Sequence, residues 1–124
     1  MIGRILKVRK GKWGLLTLLC DELAPFWYDD IFIEGDFWFF EKDGLMAITS
    51  GEEILDSYGK GLDLEFKFED YELVDDQTLI GFRDDRECLL KSDRSFLVPW
   101  GIHHIFPDPH AGYVKEYKIG RAHV

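Results

Sequence analysis

The sequence has almost no helical signal. No window repeats its apolar residues every three or four positions for more than about a turn, which excludes a helix bundle or a helical solenoid. Residues 52–58 can supply one turn at most. Cysteine is scarce as well. Cys20 and Cys88, alone in 124 residues, make no disulfide framework and stand in no CxxC or zinc spacing. Both read as small, buried apolar side chains. No apolar run is long enough to span a membrane. The first twenty residues place a basic head before a short apolar run, a loose imitation of a signal peptide. That run is short, Trp13-Gly14 opens it, and Leu19 is not a small cleavage-site residue, so it reads as a strand of a cytoplasmic protein. No Ser sits in a nucleophile elbow, and no Gly-rich loop offers to hold a phosphate.

Basic charge is also lacking outside one end. The net charge is −9, from 15 basic and 24 acidic residues. Residues 1–12 hold Arg4, Lys7, Arg9, Lys10 and Lys12 and no acid, while the rest carries 10 basic and 24 acidic residues. A body with a charge of −14 repels a phosphate backbone, so nucleic acid is excluded as a partner. The short basic stretch reads as a solvated strand edge.

What is abundant is aromatic and β-forming. Aromatics make up 15% of the chain and Phe alone occurs ten times, a composition suited to pleated, half-buried surfaces. Residues 62–69 alternate apolar and charged, which predicts a strand with one wet face. Phe37-Trp38-Phe39-Phe40 is apolar on both faces and predicts a strand covered on both sides. Leu79-Ile80-Gly81-Phe82 predicts another.

The segments repeat. Leu15-Leu16 falls on Leu89-Leu90, Leu23-Ala24-Pro25 on Leu97-Val98-Pro99 and Ile31 on Ile105, each at an offset of 74 without a gap. A shorter copy, residues 42–55, matches at an offset of 33. Three units therefore start near residues 11, 44 and 85, an array-like spacing. Each opens on a polar turn (Lys10-Gly11-Lys12, Asp43-Gly44, Asp84-Asp85) whose Gly or Asp suits a hairpin. A short strand follows, then a second turn, for which Ser50-Gly51 is the middle unit's hairpin signal. A second strand then ends at Pro25 or Pro99, since proline cannot donate to a central ladder. These readings give one all-β domain over residues 1–118, an antiparallel meander of repeated β-hairpins.

Gly11-Lys12-Trp13-Gly14-Leu15-Leu16, nine further residues to Pro25, and Trp27-Tyr28-Asp29-Asp30-Ile31 together resemble the WG (KWG) repeat of bacterial proteins. The other two units are degenerate copies. The middle one has Met46-Ala47 in place of Trp-Gly. The third has Glu87-Cys88 there, and His103-His104 where the repeat has acids. The resemblance implies an array of β-hairpins and carries over no catalytic residues.

Four constellations bear on function. His103, His104, Asp108 and His110 form a metal-like cluster, but adjacent strand residues point to opposite faces and do not converge easily on one ion. The acidic pairs Asp29-Asp30, Asp75-Asp76 and Asp84-Asp85 fit no calcium-loop spacing and read as turn and strand-end residues that satisfy local N–H groups. Cys88 with His103 or His104 would make a nucleophile and base, but its place in the repeat points to packing. Trp13, Trp27, Trp38 and Trp100 would make a sugar or peptide platform if exposed, and at strand positions read as core. No catalytic, metal or cofactor site is therefore assigned. The expected function is a non-enzymatic module presenting an extended β surface to a protein or peptide partner. The alternatives are a small acidic inhibitor or immunity-type protein masking a basic partner, and an enzyme with its site near residues 103–110.

The last six residues, Ile119-Gly120-Arg121-Ala122-His123-Val124, resemble the translation of a sequencing-adapter read-through, with Lys118 partly encoded by it. They are expected to be a non-native tail on a fragment, so His123 and Arg121 are left out of functional argument. Without Arg121 the net charge is −10.

Overall fold

The computed structural model describes residues 5–106 and 118–120. It is an all-β array of antiparallel sheets laid face to face. The first sheet joins β1 (Ile5–Lys10), β2 (Lys12–Thr17) and β3 (Glu22–Tyr28) in chain order. The second joins β4 (Asp30–Glu34), β5 (Phe37–Lys42) and β6 (Leu45–Thr49). After a short helix, α1 (Gly51–Asp56), the third joins β7 (Asp70–Asp75), β8 (Thr78–Arg83), β9 (Arg86–Lys91) and β10 (Phe96–Gly101). The strands β11 (His104–Phe106) and β12 (Lys118–Gly120) pair beyond it. Among the described residues no helix is long and apolar enough to cross a membrane.

The internal repeat is the repeat of the fold. Strands β2, β6 and β9 begin at Lys12, Leu45 and Arg86, which preserves the offsets of 33 and 74. The hairpin turns near residues 11, 44 and 85 fall inside the sheets, and a sheet begins where the chain crosses over, at Asp30, Asp70 or His104. Asp43-Gly44 and Asp84-Asp85 have φ of 53°, 82°, 51° and 61°. Left-handed conformation at both central residues matches the twist of the strands on either side.

Each strand's alternation feeds two cores. Trp38 and Phe40 point back to the first sheet and pack with Leu15, Tyr28 and Ala47, whereas Phe37 and Phe39 point forward to Leu79, Cys88 and Leu90. Burial on both faces is what the four-residue aromatic run predicts. Tyr28 meets Phe40 edge-on at 5.0 Å, and Phe39 lies 4.4 Å from Tyr71 of the third sheet. A third cluster joins Ile80, Leu89 and Val98 to Ile105.

Several expectations are corrected. Ser50-Gly51 is not a hairpin turn: Ser50 caps α1, its hydroxyl accepting from the Glu53 N–H at 3.2 Å. Helix α1 thus replaces the strand that follows β2 and β9 in the other units. Residues 62–69 form no ladder. Leu62, Leu64 and Phe66 turn inward, but the backbone pairs only at the end of the segment, where Phe68 bridges Met46 and the Glu69 N–H donates to the Phe82 carbonyl. Strands β3 and β10 do not end at Pro25 and Pro99 but run through them. Both prolines sit in register shifts, between Ala24 and Tyr28 and between Val98 and Gly101, on edge strands where no N–H is demanded. Cys20 is exposed, because its φ of 69° places it in the tight turn after β2 rather than in a core. Trp27 is 60% exposed and is no core residue.

The second and third sheets are held at close range where their first turns meet. The Asp36 N–H donates to the Asp76 carbonyl at 2.8 Å. A Cβ on Gly35 would stand 2.7 Å from that same oxygen, with φ already at +57°. Gly44 shares the positive φ but has open space around it. Gly44→Ala should therefore cost only the conformational strain, about 1 kcal/mol. Gly35→Ala adds a backbone clash and should cost roughly twice that or more. Urea unfolding followed by tryptophan fluorescence would measure both, and equal losses would count against the close contact of the turns.

Candidate functional site

Three crossings carry the chain from one sheet to the next. The first reads Tyr28-Asp29-Asp30-Ile31, the second Phe68-Glu69-Asp70-Tyr71 and the third Ile102-His103-His104-Ile105. In the first two the acids do the same two jobs. The Asp29 carboxylate accepts from the Asp43 N–H at 3.0 Å, and Glu69 accepts from the Asp84 N–H at 2.9 Å. Each thereby ties the crossing to the hairpin turn of the sheet it enters. The following acid turns onto the next N–H: Asp30 accepts from Ile31 and Asp70 from Tyr71, both at 2.8 Å. Asp75 likewise accepts from the Gln77 N–H at 2.9 Å. The Lys12 ammonium and the Asp43 N–H hold the Asp29 carboxyl below the usual carboxylate range. These acidic residues are structural, as their turn positions suggest. The Phe68-Glu69-Asp70 crossing escaped the repeat comparison because an insertion precedes it.

The third crossing is built differently. His104 stands where the others have Asp, and it has no carboxylate for the Ile105 N–H. Glu87, at the position of Trp13, supplies one. Its Oε1 accepts from Ile105 at 2.9 Å, and its Oε2 lies 2.8 Å from His104 Nδ1. Glu87 in place of Trp13 and His104 in place of Asp30 are thus one exchange. The Glu87 side chain is only 13% exposed and His104 60%. Cys88, the next residue of β9, points the opposite way into the second core. A Cys88–His104 nucleophile pair is therefore not assembled. Burial pushes the Cys88 thiol up to about 12. His103 instead packs its ring on Gly101, where an added Cβ would lie 2.5 Å from it. Asp108 and His110 lie outside the described residues, and among the described residues no three metal-ligating side chains come together.

Trp27, which is exposed, and Trp100, which is half-buried against Phe68, each stand beside a crevice. Lys12, Phe26, Trp27, Lys42 and Asp43 line one crevice, and Lys67, Arg83, Asp84, Arg86 and Trp100 line another, each of about 440 Å³. They share one element of position. Each lies between the residues just before a crossing (Trp27, Lys67) and the hairpin turn that follows (Lys42-Asp43, Arg83-Asp84). The Lys42 ammonium sits 5.5 Å over the Trp27 ring, and Lys10 sits 5.0 Å over Phe26. Lys12 pairs with Asp29, Lys67 with Glu65 at 3.1 Å and Arg83 with Asp84 at 3.4 Å. Of the other tryptophans, Trp13 is half-buried beneath Lys7 and Trp38 is 3% exposed. An aromatic wall beside cations can take a flat or acidic group. No family model, curated protein or solved structure matches the chain.

Two outcomes test this description. Glu87→Ala should destabilise the protein by about 1–2 kcal/mol, because Ile105 loses its acceptor. Adding His104→Asp should recover most of that loss, since the new carboxylate can cap Ile105 as Asp30 caps Ile31; unfolding free energies of the single and double variants give the coupling. Separately, a thiol reagent at pH 8 should modify Cys20 alone in the folded protein and both cysteines after unfolding, because Cys88 is buried and its raised pKa keeps it protonated. Rapid labelling of two thiols in the native state would contradict the packing of Cys88.

Proposed function

We propose that the chain is a non-enzymatic repeat module whose stacked sheets present an extended edge to a protein or peptide partner. The observation that carries this reading is that a crevice of ring and cations lies beside each of two hairpin turns, Asp43-Gly44 and Asp84-Asp85. In each crevice an aromatic ring stands beside two or more cations, Trp27 with Lys12 and Lys42, and Trp100 with Lys67, Arg83 and Arg86. Arrays of this kind bind by repeating small contacts along a surface. The WG-like sequence pattern agrees with the reading. The cations direct it towards a partner with carboxylates, rather than towards the basic partner that an acidic inhibitor would mask. An enzyme near residue 103 is disfavoured by the use of the Glu87 carboxylate to hold the backbone.

Selection from a displayed library of random twelve-residue peptides would test it. Binders should be enriched in Asp and Glu around an apolar or aromatic residue. Trp27→Ala and Arg86→Ala should each weaken a selected peptide by roughly tenfold, the scale of a buried anchor at an interface. Selected peptides indifferent to both substitutions would count against these crevices as the site.

A further inference from the structure

The residue that opens each of the first two crossings carries a ring packed on a ring further along the chain. Tyr28 stacks on Phe66 at 6.0 Å, and Phe68 packs on Trp100 at 5.2 Å. Beside the first pair, Leu55 of α1 and Leu62 and Leu64 pack into the same core. The second pair borders a cavity of about 160 Å³. Ile48, Phe68, Leu90, Phe96 and Trp100 give it apolar walls. The first three are buried, whereas Phe96 is 47% exposed. The Phe68 ring is held in place by Gly81, where an added Cβ would stand 2.4 Å from it.

The charged residues of this cavity are already engaged. Lys67 pairs with Glu65 at 3.1 Å, and Arg94 reaches Glu53 of α1 at 2.7 Å. The cavity therefore selects an apolar group. Its size suits one phenyl ring, since a cavity of about 150 Å³ lined by Leu, Ile and Phe holds benzene. The crevice beside the Asp84-Asp85 turn, of about 440 Å³, shares Lys67 and Trp100 with it and differs in character. It adds Arg83, Asp84 and Arg86. Asp84 pairs with Arg83 at 3.4 Å, and Arg86 is in no ion pair with a described residue. Of the ten basic residues that follow residue 12, four line these two hollows.

We propose that the cavity is an anchor pocket for a phenylalanine side chain of an acidic peptide partner, whose neighbouring carboxylate lies in the adjoining crevice against Arg86. This inference rests on the peptide-binding reading and adds the residue that the partner must carry beside its acid. Three observations choose the occupant. The shared walls put the apolar cavity and the cationic crevice side by side, so one ligand spans both. The crevice is larger than a carboxylate alone would fill, which leaves room for a stretch of backbone and favours a peptide over a free aromatic acid. Arg86 supplies the charge complement. A ring enclosed by Phe68 and Trp100 gains both apolar burial and edge or offset contact with two rings, as an interface anchor does.

Titration of the isotopically labelled full chain with two blocked peptides, acetyl-Asp-Phe-Asp-Asp-amide and its counterpart with Ala in place of Phe, tests the pocket by nuclear magnetic resonance. At the Trp100 indole N–H the Phe peptide should bind roughly tenfold more tightly than the Ala peptide, the scale of one anchor side chain. Phe96→Ala changes an exposed position. It should erase that difference and leave the affinity of the Ala peptide unchanged, a coupling that a general loss of stability would not produce. Phenylacetate, a free aromatic acid, should bind at least about tenfold more weakly than the Phe peptide. Equal affinity for phenylacetate would overturn the peptide as occupant. Equal binding of the two peptides at Trp100, or a preference untouched by Phe96→Ala, would overturn the pocket and leave the peptide-binding reading standing. No shift at Trp27 or Trp100 with either peptide at about 10 mM would remove both.

Discussion

The structure depends on one constraint: its middle sheets are apolar on both faces. Phe37, Trp38, Phe39 and Phe40 are 3% exposed or less, and neighbours along the strand point in opposite directions. Fully burying one Phe side chain is worth about 1.5–3 kcal/mol, so β5 alone concentrates several times the free energy of a single hydrogen bond. A sheet of this kind has no stable existence with one face in water. It must be sandwiched, and the molecule is the stack that results.

Stacking then creates a backbone problem at every crossing, because the chain leaves one ladder before it enters the next. The acids at the crossings answer it. Asp29 and Glu69 accept from the turn ahead, while Asp30 and Asp70 accept from the residue that follows. A carboxylate accepting from an N–H forms one of the stronger hydrogen bonds available to a protein. It also fixes where the new hairpin sits relative to the old sheet, and so places Lys42 over Trp27 and Arg83 beside Trp100. The surface chemistry of the seams is thus a consequence of how crossings are tied, rather than a separate device.

Much of this was legible in the sequence. The offsets of 33 and 74, the polar turns and the two-faced aromatic run lead directly to the observed strands, since each rests on local periodicity or turn chemistry. What was illegible depended on partners distant in the chain. Pro25 and Pro99 looked like strand ends, because a bulge on an edge strand is invisible without its neighbour. Ser50-Gly51 carries a hairpin signature and a helix cap signature at once, and the Glu52-Glu53 that follows favours the cap. The alternation of residues 62–69 reports burial correctly. Burial without a ladder gives the same pattern as a strand, because periodicity records which side is dry and not which N–H is bonded. Trp27 looked like core because strand tryptophans usually are, and its exposure follows from its position at the rim of a seam.

The exchange at the third crossing shows how a repeat diverges without losing its architecture. Replacing Asp by His at 104 leaves the Ile105 N–H without its local acceptor, and an unmet N–H near a core costs on the order of 1–3 kcal/mol. Glu in place of Trp at 87 restores the acceptor from the neighbouring strand and holds the imidazole besides. It also removes the large ring that, as Trp13, packs against the next sheet in the first unit. The gain in polar satisfaction therefore comes with a smaller apolar contact at that end of the array. Among the described residues the third cluster comprises Ile80, Leu89, Val98 and Ile105. The exchange is made by side chains alone, at the second residue of a strand that the first and third units share.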